Sequence, residues 1–200
     1  MGLRELESLT DISVLTQLPA LTCLKLHACK KLSDIQTLLA LASLTVLELT
    51  HDKTPDLKAL GVLSNLRRLT RCGCRATRTF KPLQELPLLT ELVLSGGSGN
   101  MSVHSLRGLE GLTPLTRLHP SGFQSPRDLE ALETLTGLIE LKISDGYIKD
   151  LSPLSALTRL QRLHTSSPVS GLSPLHGLAG LTALKLTKAK VTAPPPGCAP

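Results

Sequence analysis

The sequence predicts an α/β fold, a right-handed solenoid with one parallel sheet and short helical or 3-10 returns. The main observation is a pattern that recurs eight times: a small or acidic residue, then Ile, Leu or Phe, then leucines at mostly every third position. Successive copies start 23, 22, 23, 26, 23, 22 and 21 residues apart, a near-constant period in this 200-residue chain. The copies open at Asp11-Ile12, Asp34-Ile35, Asp56-Leu57, Thr79-Phe80, Ser105-Leu106, Asp128-Leu129, Asp150-Leu151 and Gly171-Leu172.

Each copy ends in a predicted strand. Most copies close with the pattern L-x-x-L-x-L, as in Leu21-Thr22-Cys23-Leu24-Lys25-Leu26. The final alternation has the period of a strand with one buried face. The leucines before it are three residues apart, which matches a 3-10 turn because side chains three apart eclipse there. One strand, one turn and one helical return therefore make up a coil.

The start of each return carries its own signals. An Asp, Thr or Ser stands at the head of most copies and can accept a backbone N–H from the first turn. Pro82, Pro153 and Pro174 fall within the first turn, where no intrahelical donor is lost. Both features predict that the returns begin at the heads of the copies.

These repeats resemble the leucine-rich-repeat proteins, in particular the 22-residue internalin-like class and its kinetoplastid variants. The copy nearest to that class is Ile148-Lys149-Asp150-Leu151-Ser152-Pro153-Leu154, and the resemblance covers residues 11 to about 191. The family pattern places Asn or Cys three residues after the last strand leucine. Only Cys29 and Cys74 comply, so a continuous ladder at the turns is not expected.

The domain organisation follows from the repeats. Residues 1–10 supply a partial N-terminal repeat, residues 11–191 form the solenoid of eight coils, and residues 192–200 form a Pro-rich tail. Three copies break the second buried strand position, where Arg71, Pro120 and Thr165 replace Leu or Ile. A buried arginine is costly and a proline removes a ladder donor, so either these strands distort locally or the sequence tolerates a less stable sheet. We expect local distortion, because the rest of each copy is intact.

The first row of outward strand residues alternates in charge. It runs Cys23, Val46, Arg68, Glu91, Arg117, Glu140, Arg162, Ala183. Opposite charges at equivalent positions of neighbouring strands pair across a sheet. We therefore expect lateral ion pairs on the concave face, and these pairs alone account for the alternation without a ligand.

The second outward row is basic or titratable over its last four strands. It runs Lys25, Glu48, Thr70, Val93, His119, Lys142, His164, Lys185, and a third row consists mostly of hydroxyl residues. An acidic protein partner fits such a broad polar surface better than a small molecule does. The predicted partner-binding residues are Lys25, Glu48, Arg68, Glu91, Arg117, His119, Glu140, Lys142, Arg162, His164 and Lys185.

Charge and composition leave a second class of partner open. The net charge is +6, and Arg67, Arg68, Arg71, Arg75, Arg78 and Lys81 form a run without an acid. Nucleic acid is therefore the alternative partner. However, the chain has only three aromatic residues for stacking on bases.

Targeting signals and membrane spans are not visible in the sequence. The uncharged stretch 163–184 is interrupted by His, Pro, Ser and Gly, so no membrane association is predicted. Five cysteines, an odd number without the spacing of a disulfide scaffold, favour a cytoplasmic location, with the nucleus as the alternative.

No metal, cofactor or catalytic site is predicted. Cysteines and histidines such as Cys23, His27 and Cys29 lack the spacing of a zinc finger. His119 and His164 should lie two coils apart on an open face, too far apart for one small reacting group. The resemblance implies a noncatalytic protein-interaction module or scaffold. A recognition or regulatory subunit of an enzyme complex is the third hypothesis.

Overall fold

A computed structural model of the chain describes residues 2–4, 9–29, 31–32, 36–50, 57–73, 79–95, 106–122, 126–144 and 148–188. These residues form a single sheet of nine parallel strands whose order in space is their order in sequence. The strands are β1 (Gly2–Arg4), β2 (Cys23–His27), β3 (Val46–Thr50), β4 (Arg68–Cys72), β5 (Glu91–Ser95), β6 (Arg117–Ser121), β7 (Glu140–Ile143), β8 (Arg162–Thr165) and β9 (Ala183–Leu186). The predicted strands and the parallel sheet are confirmed. Residues 2–4, within the predicted partial repeat, supply the first strand and pair with β2.

The segments that return from one strand to the next are 3-10 helices, as the spacing of three between leucines predicts. In the described residues they span Ser13–Gln17, Gln36–Ala40, Leu57–Val62, Lys81–Glu85, Pro126–Leu132, Ser152–Ala156 and Ser173–Leu175. Residues 106–116 make the same passage through successive turns. Sheet and returns together form the coils of a solenoid.

The core between the sheet and the returns consists of stacked leucines. Leu24, Leu47 and Leu69 are paired in lateral register, and each is fully buried. Burying one leucine side chain stabilises a fold by about 2 kcal/mol, so this repeated position supplies much of the driving force for stacking. At the other end of the sheet, the equivalent Leu184 on β9 is 44% exposed, because no described coil packs beyond it.

Side chains at the heads of the copies hold the start of three returns, as predicted. Asp11 accepts the Ser13 amide at 2.7 Å, and Asp150 accepts the Ser152 amide at 2.9 Å. The serine hydroxyls also donate to these carboxylates, and these hydrogen bonds lower the pKa of Asp11 and of Asp150. Thr79 accepts the Lys81 amide at 3.2 Å in the same way. The predicted prolines occupy the first turn of three returns, as expected, and Pro126 begins a fourth.

Two of the three irregular strands keep their regular pairing, so the expected distortion is wrong for them. Arg71 is 4% exposed and pairs in register with Leu49 and Leu94. Thr165 is fully buried and also stays in register. Its hydroxyl accepts the Ser167 amide at 3.1 Å, which satisfies a buried polar group locally.

The third irregular strand, β6, is distorted as expected, but only toward β7. Its pairing with β5 is continuous, whereas pairing with β7 ends after Leu118 and resumes in a single bridge between Ser121 and Ser144. The Pro120 carbonyl accepts the Ser144 amide at 3.0 Å, so the backbone of Pro120 faces β7. Proline lacks the N–H that would form the adjacent ladder bond, which accounts for the interruption.

A series of threonines just before the strands links neighbouring coils. Each hydroxyl donates to a backbone carbonyl of the preceding coil at 3.1 to 3.2 Å. The threonines are Thr45, Thr90, Thr116 and Thr182. This role was not predicted, although Thr recurs within L-T-x-L at these positions. These bonds reinforce the lateral stacking of coils.

Candidate protein-interaction surface

The outward strand residues form one polar surface on the side of the sheet opposite the core, which we call the outer sheet face. Along the strands, buried and partly exposed residues alternate, with the leucines inward. The first predicted row is in lateral register across eight strands, from Cys23 on β2 to Ala183 on β9. The structure therefore brings the predicted partner-binding residues onto one face.

Glu91 on β5 is the centre of a first ion-pair cluster. Arg68 on β4 lies 2.9 Å and Arg117 on β6 lies 2.7 Å from the same carboxylate oxygen. The Glu91 side chain is 13% exposed, whereas the two arginines are 45% and 42% exposed. Two cations thus cover one carboxylate and leave their outer edges in solvent.

Glu140 on β7 is the centre of a second cluster. Arg162 on β8 lies 3.0 Å from one carboxylate oxygen, and His119 on β6 lies 3.2 Å from the other. Burial raises the pKa of Glu140, but the hydrogen bond from Arg162 and the charge of His119 outweigh it, so the net pKa is lowered. The ionised carboxylate is therefore the favoured form.

Glu48 on β3 is the centre of a third cluster, at the N-terminal end of the sheet. Lys25 on β2 lies 2.6 Å from one of its carboxylate oxygens, and His27 lies 3.4 Å from the other. The second ring nitrogen of His27 hydrogen bonds with the Thr50 hydroxyl at 3.0 Å. His27 was missing from the predicted site, although its place in the third outward row sets it beside Thr50.

The expected lateral ion pairs are thus confirmed, with one change of partner. Arg117 contacts Glu91, and Glu140 is contacted by a histidine from the second row, His119. A diagonal contact of this kind lies within reach of long side chains on neighbouring strands. Eight of the eleven predicted residues belong to the three clusters: Lys25, Glu48, Arg68, Glu91, Arg117, His119, Glu140 and Arg162.

The remaining three predicted residues lie side by side on β7, β8 and β9. We call them the basic row: Lys142, His164 and Lys185. They are paired laterally in register. Among the described residues none of the three has an ion-pair partner, and both lysines are exposed. Burial, Lys185 and Lys142 all lower the pKa of His164, in that order of effect.

The basic row lies in an open groove of about 440 Å³. The lining residues include Glu140 and Arg162 on one side, and Ala183 and Leu184 at the β9 end. Glu140 is occupied by its own cluster, so the groove presents an excess of positive charge. Such a groove can bind an anionic group without displacing an existing ion pair.

The basic run that suggested nucleic acid does not form one patch in the described residues. Arg68 is paired with Glu91, and Arg71 points into the core. Arg67 and Lys81 are exposed, one just before β4 and the other in a return. Arg75 and Arg78 lie outside the described residues. The described residues of the basic run therefore do not lie on a single surface.

The cysteines and histidines do not assemble a metal centre in the described part of the chain. No group of three or more potential ligands occurs there. Cys29 is buried and Cys23 and Cys72 are partly exposed, while Cys74 and Cys198 lie outside the described residues. Of the helices in the described residues, none has the length and apolar character needed to cross a bilayer.

Comparisons with known proteins bear on the fold. No family model matches the sequence, and no curated protein matches it. An internalin (inlF) from Listeria monocytogenes is 25% identical with a TM-score of 0.72, over 91% of this chain and 52% of its own. Internalin C2 from the same organism is 27% identical with a TM-score of 0.68, over 86% and 74%.

A third similar structure is a leucine-rich-repeat protein of Leptospira interrogans. It is 22% identical, with a TM-score of 0.74, over 90% of this chain and 46% of its own. The chain thus spans about half the length of the inlF and Leptospira proteins. Repeat period, leucine core, parallel sheet and these likenesses lead to one conclusion: the chain has the fold of a leucine-rich-repeat solenoid.

Proposed function

We propose that this chain is a noncatalytic protein-interaction module or scaffold that binds a partner protein on its concave charged face. The observation that carries the proposal is the basic row, Lys142, His164 and Lys185, whose two lysines are exposed and which lies beside clusters whose carboxylates are already ion-paired. Likeness to internalins supports an interaction role. An acidic partner matches the charge of the row, and the cytoplasm is the proposed location.

The three ion-pair clusters have a different place in this proposal. Their carboxylates are already covered by two bases each, so a partner gains little from them directly. They hold the strands in register and fix the side chains that border the basic row. The recognition role of all eleven predicted residues, and the kinetoplastid-like variant of the repeat class, remain predictions.

Two other functions stay as alternatives. A nucleic-acid-associated protein needs a continuous basic surface, and the described residues of the arginine run do not supply one. A recognition or regulatory subunit of an enzyme complex would use the same sheet face. It would differ from the first function because an enzymatic activity would co-purify with the chain. One experiment separates the three.

The test is affinity capture from source lysate at two salt concentrations, with and without nuclease, followed by mass spectrometry. We expect a discrete protein that resists nuclease and is lost when Lys142→Glu and Lys185→Glu are combined. The matched control combines Lys81→Glu with Lys149→Glu, which changes the net charge equally but lies outside the sheet face. Glu91→Lys with Glu140→Lys makes the first outward row basic from Arg68 to Arg162 and should alter affinity as well.

Several outcomes would contradict the proposal. Retention of nucleic acid that is lost at high salt would favour the nucleic-acid alternative. Equal loss of the protein partner in the sheet-face and control variants would show that the charged sheet face is not the binding surface. A co-purifying enzymatic activity would assign the chain to an enzyme complex.

A further inference from the structure

We infer that the groove over β7, β8 and β9 is a binding site for a carboxylate-rich peptide segment, held by Lys142, His164 and Lys185. The inference rests on the proposed function and specifies the chemistry of the partner segment and its place on the sheet. It concerns three strands only, and it assigns the other five strands of the charged rows a supporting role.

The geometry of the basic row favours a segment that crosses the strands. Lys142, His164 and Lys185 occupy laterally paired positions on three adjacent strands. Neighbouring strands lie about 4.8 Å apart, so the row spans about 10 Å along one line. In an extended peptide, carboxylates two residues apart lie about 7 Å apart on the same side. Flexible lysine side chains on the outer two strands can match that spacing.

The same geometry argues against a single phosphate group as the ligand. The oxygens of one phosphate are close together and favour donors that converge, such as a bidentate arginine. Here the three basic groups stand in a line on separate strands. Several carboxylates spread along a chain can each meet one base, whereas one compact anion meets only part of the row.

The charge of the groove also favours an acidic segment. Its lining contains the permanent cations Lys142, Arg162 and Lys185 and one acid, Glu140. That acid is held by Arg162 at 3.0 Å and by His119 at 3.2 Å, so it is turned to its own cluster. Arg162 is still 52% exposed and can contribute to the positive field at the groove edge.

Binding at this site should depend on the protonation state of His164. The charged groups around it are Arg162 on its own strand, Lys142 and Glu140 on β7, and Lys185 on β9. Burial and the two flanking lysines lower its pKa, so the free site holds a neutral imidazole at neutral pH. A bound carboxylate offsets the lysine charges and favours the imidazolium. Binding therefore takes up a proton, and affinity should rise as pH falls.

The test uses fluorescein-labelled hexaglutamate as the probe, titrated with the full chain at low salt and followed by anisotropy. We expect saturable binding that weakens about fivefold or more when Lys142→Ala and Lys185→Ala are combined. The control combines Lys81→Ala with Lys149→Ala and should bind like the unmodified chain. Circular dichroism of each variant verifies that the substitutions leave the fold intact.

The affinity for hexaglutamate, measured as a function of pH, tests the role of His164. From pH 7.5 to pH 6 the affinity of the unmodified chain should rise about threefold or more. His164→Gln should remove this dependence, whereas His176→Gln, at an exposed histidine at the end of the last return, should retain it. A hexapeptide with one phosphoserine among Ala and Gly should bind more weakly than hexaglutamate.

Specific results would overturn the inference while leaving the proposed function standing. They are hexaglutamate binding that is equal in the basic-row and control variants, tighter binding of the phosphoserine peptide, or a flat pH profile. Substitution of the basic row could abolish capture of a protein partner although hexaglutamate does not bind. That result would support the proposed binding surface and contradict the proposed ligand class. Failure of the proposed function would be seen in the capture experiment instead, as a partner whose capture does not depend specifically on the sheet-face residues.

Discussion

The guanidinium of Arg117 donates two hydrogen bonds, at 3.0 and 2.7 Å, to a single carboxylate oxygen of Glu91. Arg68 approaches the same oxygen from the other side at 2.9 Å. A shared carboxylate of this kind joins three strands, β4, β5 and β6, through side chains alone. Its removal leaves two arginines facing each other across one strand.

We therefore predict that Glu91→Gln destabilises the chain by about 1 kcal/mol, because it removes two partly exposed ion pairs and leaves like charges unopposed. Urea unfolding followed by circular dichroism measures the change. Glu133→Gln, at an exposed glutamate just after a return, is the control and should shift the midpoint little. An unchanged midpoint for Glu91→Gln would mean that the cluster is stabilised no better than solvated charges.

The stability of the chain should depend on the ionisation of Glu140 in acid. Its folded pKa is lowered relative to its ordinary value of 4.5. A carboxyl with a depressed folded pKa contributes stability above its unfolded pKa and loses it as pH falls through the folded pKa. Between about pH 5 and pH 3, the unmodified chain should therefore lose more stability than Glu140→Gln. Unfolding midpoints at several pH values test this, and parallel curves would contradict it.

Pro120 should be the weak point of the sheet. Replacing it with Leu restores the backbone N–H toward β7 and the residue type of the repeat. We expect stabilisation by about 1 kcal/mol from the recovered hydrogen bond. Hydrogen exchange at the amides of β6 and β7 should slow, while exchange in β2 and β3 stays the same. Faster exchange at β7 would show that the interruption has another cause.

The threonine bonds between coils are open to a similar test. Thr116→Val keeps the shape of the side chain and removes its hydrogen bond to the Thr90 carbonyl at 3.1 Å. We expect a loss of about 1 kcal/mol in the free energy of unfolding. Thr158→Val, at an exposed threonine in a turn, is the matched control. Equal effects of the two substitutions would remove any special role for the threonine series.

The register of the first outward row was predictable from the sequence. The constant period places Arg68, Glu91 and Arg117 on neighbouring strands, and the structure confirms their register. Spacing cannot specify which way a long side chain turns. The contact between His119 and Glu140, which crosses from the second row to the first, could not be predicted from spacing because it depends on side-chain reach.

The irregular positions mark the same limit. Arg71, Pro120 and Thr165 all break the leucine pattern, and only Pro120 disturbs the ladder, because it alone lacks a backbone donor. The repeat pattern does not specify how a buried polar side chain is satisfied. For Thr165 the partner is near in sequence, because its hydroxyl accepts the amide of Ser167, two residues along.

The repeat pattern was enough to predict the coil, its strand and 3-10 return, the buried leucines and the order of strands, since a short period repeated along the chain leaves little choice of topology. Which charges pair with each other and which remain exposed is visible only in the folded chain. Ion pairing depends on distances of a few ångströms between side chains of different coils. For that reason the basic row, Lys142, His164 and Lys185, stands apart from the other predicted residues only in three dimensions.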